Sequence, residues 1–239
     1  MPRYALASHV FVCLQGEHVI FLDVREDRYF ALEAAKTREL GSLVRGWLVA
    51  ATQAEKVSTP QEDSPAVLSL LLQKDLLTED ATAGKDATPV DVTPLKGEFA
   101  VEGHIDSPTV GPLAFCRFLV SAIRASCVLR FCSFERVVQR VRNRNARRGP
   151  HASRLDAEKA HRLVATFASL RPFFFTAKDA CLFEALALSE FLAAHGMFPS
   201  WVFGVQARPF AAHCWLQQDG IVFNDTVDHV GRYTPIMSV

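Results

Sequence analysis

The 239 residues carry 26 basic and 26 acidic side chains, hence no net charge, and 49% of them are apolar. That composition supplies a core for one or two domains and excludes a disordered or polyelectrolyte chain. Six cysteines in a chain of this length do not make a disulfide-stapled miniature; with no C-x-x-C pair and no histidine near Cys127 and Cys132, reduced thiols and no metal or other cofactor are expected.

The opening residues MPRYALASHVFVCLQGEH interrupt their apolar run with His9 and Gln15, which is not a secretory pattern. The runs 9–14, 19–24 and 28–32 read as three short strands, separated by Gln-Gly-Glu and Arg-Glu-Asp turns. Glu33 to Ala50 reads as a helix with Leu40, Leu43, Val44, Trp47 and Leu48 on its apolar face. A second helix is expected from Pro65 to Asp75, with Val67, Leu68, Leu71 and Leu72 as its stripe. A three-stranded sheet of this kind leaves 28–32 as an edge, open to β-augmentation by an extended peptide.

Residues 79–110 thin out in apolar side chains and gather Pro, Gly, Thr and Asp, as a linker does, with room for a short strand near 97–101. From Pro112 a long helix is expected, with Leu113, Cys116, Val120, Ile123 and Cys127 as its apolar stripe, continuing broken or bent to about Arg148. The apolar stretch 112–134 contains Arg117, Arg124 and Arg130, each costly at a bilayer centre, so no membrane span is expected. Residues 111–172 hold 13 basic and 3 acidic side chains, against 10 and 17 in residues 1–110. No nucleic-acid reading motif accompanies the run RVVQRVRNRNARRG (136–149), which reads as a solvated helix end; neither nucleic acid nor membrane is expected as a partner. Gly149-Pro150 ends that helix, Ser153 with Asp156 offers an N-cap for the next, Arg154 to Leu170, and Arg171-Pro172 stops it.

The densest chemistry lies in residues 176–225. Cys181 opens an apolar helical pattern through Ala185, Leu188 and Leu192, with Thr176 or Asp179 as cap and Gly196 as stop. A helix start lowers a thiol pKa through its free N–H groups and dipole. Runs 201–205, 211–217 and 221–225 read as strands, the last two joined at Gln218-Asp219-Gly220. A three-residue loop pairs Gln217 with Ile221 and so sets His213 opposite Asp225; a two-residue Asp-Gly loop sets His213 opposite Thr226. Cys181, His213 and Asp225 are thus a candidate nucleophile, base and orienting group, and the catalytic reading requires the longer loop. The Cys181 N–H and a side chain such as Gln206 are candidates for an oxyanion hole.

The segment ACL…ALALSEFLAAHG…FGVQARPFAAHCWLQQDGIVFND resembles the B protein of lasso-peptide biosynthesis, a leader peptidase of the transglutaminase-like, papain-related class. Gly204-Val205, Pro209-Phe210, Ala212-His213 and Trp215 match that family's histidine stretch, while Cys214 stands where the family often has a small residue such as alanine. The N-terminal part resembles the PqqD-like element that binds leader peptides. Together these resemblances imply an α+β chain: a winged-helix-type PqqD-like domain at 1–80, a linker at 81–110, and a transglutaminase-like cysteine protease domain at 111–239. They imply a cytoplasmic endopeptidase whose partners are the leader of a precursor peptide and an ATP-dependent, asparagine-synthetase-like lasso cyclase. Tyr29, Phe30, Leu68, Leu71 and Leu72 are the candidate leader-binding residues. An acyl transferase taking an amine instead of water, and a non-catalytic leader-binding chaperone, are the alternatives.

Overall fold

A computed structural model describes residues 3–38, 40–48, 64–80, 82–99, 110–147, 155–173 and 181–239. The chain forms two compact units. One comprises residues 1–91 with 205–211 and 234–237; the other comprises 92–204 with 212–233 and 238–239.

In the first unit, β2 (Val10–Gln15), β3 (His18–Asp23) and β4 (Arg28–Glu33) form an antiparallel sheet in that order. Gln15 pairs with His18 and Asp23 with Arg28. The second turn is held by the Asp23 carboxylate, whose Oδ1 accepts from the Arg25 and Glu26 N–H groups. Among the described residues β4 is an edge of this sheet. A second small sheet places β1 (Ala5–Ala7) between β5 (Leu77–Thr78) and β6 (Gly84–Lys85). The helix α2 (Ser64–Gln73) adds Val67 and Leu71 to a core shared with Phe21, Leu40, Val44 and Trp47.

The expected helix over Glu33–Ala50 does not form. Its place is taken by a 3-10 turn at Ala34–Thr37 and a single turn, α1 (Leu40–Leu43). Val44 then bridges to Tyr4, and the Arg45 N–H donates to the Tyr4 carbonyl, so the backbone is claimed by the residue that precedes β1. Leu40, Val44, Trp47 and Leu48 are buried as expected, but not from one continuous helix. Residues 82–99 are likewise not free linker: Ala87 is buried, and β7 (Gly97–Glu98) is the short strand expected there.

The second unit is built around helices. The expected long helix breaks at Cys132-Ser133 into α3 (Pro112–Phe131) and α4 (Phe134–Ala146). α5 (Ala157–Leu170) starts at Asp156, whose side chain accepts from the Lys159 N–H at 3.0 Å; Gly149, Pro150 and Ser153 lie outside the described residues. α6 (Cys181–Ala193) is apolar except at Glu184, Ser189 and Glu190 and is buried from Ala185 to Leu192, as a largely apolar helix must be. Gly196, at φ +81°, ends it in the left-handed conformation, as expected.

α3 presents the opposite face to the one its periodicity suggested. Phe118, Ser121, Ala122 and Ala125 are buried, with the Phe118 ring edge-on to Phe167 at 5.2 Å, whereas Leu113, Val120 and Ile123 face outward. The small residues let the backbone approach α6 closely. By length and composition α3 is apolar enough to cross a membrane, but its inner face belongs to this core.

Five strands pair in the order β11 (Thr234–Ser238), β8 (Ser200–Gln206), β9 (Ala211–Gln218), β10 (Ile221–Val222), β7. β7 runs parallel to β10, and β10 antiparallel to β9. A one-turn helix, α7 (Val227–Val230), follows β10.

α4 is tied to the central helix by one buried ion pair. Arg144 Nη1 donates to Glu190 Oε1 at 2.9 Å, and its Nη2 to Ser189 Oγ at 2.5 Å. Removing one partner of such a pair strands the other charge in the interior. Arg144→Ala is therefore expected to lower stability by about 3 kcal/mol, read as a fall in the urea midpoint with an unchanged slope.

Candidate active site

Cys181 is the first residue of α6 and is partly buried. Its candidate caps, Thr176 and Asp179, lie outside the described residues. His213 projects from the start of β9, and Asp225 follows β10 by three residues. His213 Nε2 and Asp225 Oδ2 are 2.5 Å apart, a short charge-assisted hydrogen bond. With Nε2 so committed, Nδ1 is the nitrogen left to exchange a proton with Cys181, whose influence helps raise His213. The structure thus brings the three sequence-chosen residues together.

It does so by a different route from the one expected. Ile221 pairs with Gln218 and Val222 with Gln217, so the hairpin has the two-residue Asp219-Gly220 turn, with φ of +53° and +87°. Continued regularly, that register would put Thr226 opposite His213. The backbone pairing instead ends with the Phe223 N–H on the Leu216 carbonyl at 3.0 Å. The Leu216 N–H is taken by the Asn224 side chain at 2.8 Å, the chain bends, and Asp225 swings back to His213. The turn itself tolerates no side chain at Gly220: a Cβ there would lie 2.4 Å from the Pro94 carbonyl oxygen.

Asp225 is held on all sides. Its Oδ1 accepts from the Thr226 N–H at 2.7 Å, and both oxygens lie 2.9 Å from His229 Nδ1. His229 was not singled out from the sequence, although its i+4 spacing from Asp225 and the cap Thr226 signal a helical turn that aims it there. Glu98 accepts from the Val227 N–H and secures the start of that turn. His213 also packs among rings, with His229 at 4.8 Å, Tyr233 at 5.3 Å and Trp215 stacked at 6.2 Å. Gly204 makes room for this stack, since a Cβ there would lie 2.8 Å from both the Trp215 ring and Tyr233.

The titrations follow from these contacts. The Cys214 thiol and His213 both donate to the Cys181 sulfur, and together with the imidazolium charge they outweigh burial and bring Cys181 down to about 4. Cys214, buried and donating, is itself pushed well up. Burial acts to lower His213, but the hydrogen bonds and charges of Asp225 and Cys181 carry it up to about 9. Burial acts to raise Asp225, and donation by His213, His229 and the Thr226 N–H brings it below the usual carboxylate value. Glu184, one turn after Cys181, is raised by burial despite Arg171 at 3.0 Å. The site is therefore a thiolate–imidazolium pair, the reactive form of a cysteine nucleophile.

His213, Asp225 and His229 offer ligand atoms within 4.8 Å of one another, a spacing that a metal ion could bridge. In this structure those atoms are hydrogen-bonded to each other, which is the arrangement a base and its orienting group need. Gln206 Nε2 donates one of its two N–H groups to the Arg208 carbonyl at 3.3 Å.

The candidate peptide-binding residues divide. Leu71 is fully buried and offers no surface to a ligand, which removes it from the set. Phe30, Leu68 and Leu72 are half-buried against the same core, and Lys74 Nζ sits 5.4 Å over the Phe30 ring. Tyr29, on the β4 edge, meets Phe210 edge-on at 5.4 Å, and Phe210 is itself exposed. Phe210 thus joins Tyr29 on an accessible aromatic surface that the sequence did not reveal.

Residues 121–238 match the model of the Transglutaminase-like superfamily. That superfamily includes cysteine peptidases and acyltransferases. Comparison with curated proteins and with solved structures returned no match.

The pair Cys181–His213 has a definite pH window. Cys181 is depressed, so the thiolate exists above about 4; His213 is raised, so the imidazolium exists below about 9. Alkylation of Cys181 by iodoacetamide is expected to fall away below the lower limit, and turnover to fall beyond either limit. Asp225→Asn is expected to draw the upper limit down toward neutrality and to cost about 10³–10⁴-fold in kcat/KM. Gly204→Ala, which crowds Trp215 and Tyr233 behind His213, is expected to lower kcat while leaving Cys181 alkylable.

Proposed function

We propose that the chain is a cysteine endopeptidase that binds the leader of a ribosomally made lasso-peptide precursor and cleaves it from the core. The observation that carries the chemistry is His213 hydrogen-bonded to Asp225 and coupled to Cys181, with the thiolate favoured from about pH 4 and the imidazolium kept to about pH 9. The Cys181 thiolate attacks the scissile carbonyl carbon, and the carbonyl electron pair becomes an oxyanion. On collapse the C–N bond breaks, His213 gives its proton to the departing amine, and a thioester remains on Cys181. A water then attacks the thioester, His213 takes its proton, and the C–S bond breaks with Cys181 leaving as the thiolate, which restores the thiolate–imidazolium pair. Asp225 holds the imidazole ring and stabilises its charged form throughout.

The leader is taken as an added strand on the β4 edge, with Tyr29 as the aromatic anchor. Phe30, Leu68 and Leu72 flank it, half-buried, and Phe210 adds aromatic surface. Tethering the leader in the same chain as the nucleophile raises the effective concentration of the cleavage site, so the site itself needs little sequence preference. Cleavage frees the amino terminus that the ATP-dependent, asparagine-synthetase-like cyclase joins to an acidic side chain, and the enzyme works beside that cyclase in the cytoplasm.

The test is mass spectrometry of a lasso precursor incubated with the chain, beside Cys181→Ala. One leader–core cut by the unaltered protein and none by the variant is the expected result. Equal cutting by both would remove Cys181 from the mechanism. An added primary amine appearing on the leader fragment in place of water would assign the acyl-transfer branch instead.

A further inference from the structure

The outward face of α3 is an unbroken apolar row. Leu113, Val120, Ile123 and Phe131 are 64%, 46%, 60% and 80% exposed, and Cys116 and Cys127 continue the row. Spacings of three and four residues keep all six on one stripe over about 27 Å of helix. Scattered exposed apolar residues are ordinary, but a continuous row marks an interaction surface.

Beside the row stand Arg117, Arg124 and Arg130. Arg124 also lines a groove of about 870 Å³ with Arg136, Arg140 and Arg147. None of these four has an acidic partner among the described residues; Glu190, the one carboxylate lining the groove, is paired with Arg144. Over residues 111–147 there are eight arginines and a single acid, Glu135.

This charge pattern selects the occupant. A second copy of the chain would set arginines against arginines along the seam, a like-charge contact that opposes association. A protein partner draws most of its binding energy from anchors seated in pockets, and the row is a convex ridge of aliphatic and thiol side chains with a single aromatic, Phe131, at its end. An anionic bilayer needs neither pocket nor register. It accepts an apolar helix face at the acyl boundary while flanking arginines reach the headgroup phosphates. Nor is α3 free to span the bilayer, because Phe118, Ser121, Ala122 and Ala125 hold its other face in the core. The arginines that argue against a span in the sequence are the groups that suit a helix lying flat.

We propose that α3 and the adjoining arginine groove form a docking surface for an anionic phospholipid bilayer, with the row at the acyl boundary and Arg124, Arg136, Arg140 and Arg147 on the phosphates. Docking is independent of peptide cleavage, so either can fail alone.

The experiment is co-sedimentation of the full chain with vesicles of phosphatidylcholine alone or mixed with phosphatidylglycerol. Binding to the mixed vesicles is expected to be stronger by about tenfold or more, to weaken with added salt, and to be lost in Ile123→Glu and in Arg136→Glu/Arg140→Glu. All three positions are exposed, and a thermal melt checks that each variant folds. Failure to bind mixed vesicles, equal binding to both kinds, or indifference to either variant would overturn the proposal. So would a dimer in sedimentation velocity that Ile123→Glu dissolves, which assigns the ridge to a second copy. Retention on immobilised polyglutamate without vesicle binding would assign it to an acidic protein.

Discussion

The site depends on one contact, the 2.5 Å hydrogen bond between His213 and Asp225, and that contact depends on a strand stopping early. A regular β10 would carry Asp225 past His213. The Asn224 side chain prevents this by occupying the Leu216 N–H where a backbone carbonyl would otherwise continue the ladder. Asp225 then meets three donors, His213, His229 and the Thr226 N–H, which fix both carboxylate oxygens. A carboxylate held in this way holds an imidazole in one orientation, and an oriented imidazole keeps a thiolate. Cys214 strengthens the last step by donating its own thiol proton toward Cys181.

Much of this was legible in the chain and some was not, for identifiable reasons. The order Cys181, His213, Asp225 on a helix start, a strand and a turn was readable because residue type and periodicity are local properties. The route to Asp225 was not, because it turns on a side chain replacing a backbone acceptor, which no strand pattern encodes. The helix expected over 33–50 failed where Val44 and Arg45 were captured by Tyr4, some forty residues earlier in the chain. Local propensity had no knowledge of that partner. His229 was missed because a four-residue helix leaves almost no periodic trace.

α3 teaches a separate lesson. Its apolar stripe was correctly placed on one face, but periodicity says only that such a face exists, not that the protein's own core receives it. The core took the other face, where Ser121, Ala122 and Ala125 permit a close approach that Val120 and Ile123 would obstruct. Phe118 apart, small residues were used inside and most of the bulk was left outside. The same reversal leaves a basic, apolar flank on a domain whose chemistry lies elsewhere.

The nucleophile stands at the end of α6, whose residues 185–192 are all buried. A helix enclosed on every side has no soft direction in which to tilt, slide or unwind while its surroundings stay intact. Local opening of the kind that releases a loop or a frayed end cannot dislodge the α6 body from beneath Cys181; only cooperative loss of the unit can. Damage to the site and collapse of the domain should then be one thermal event seen through two probes.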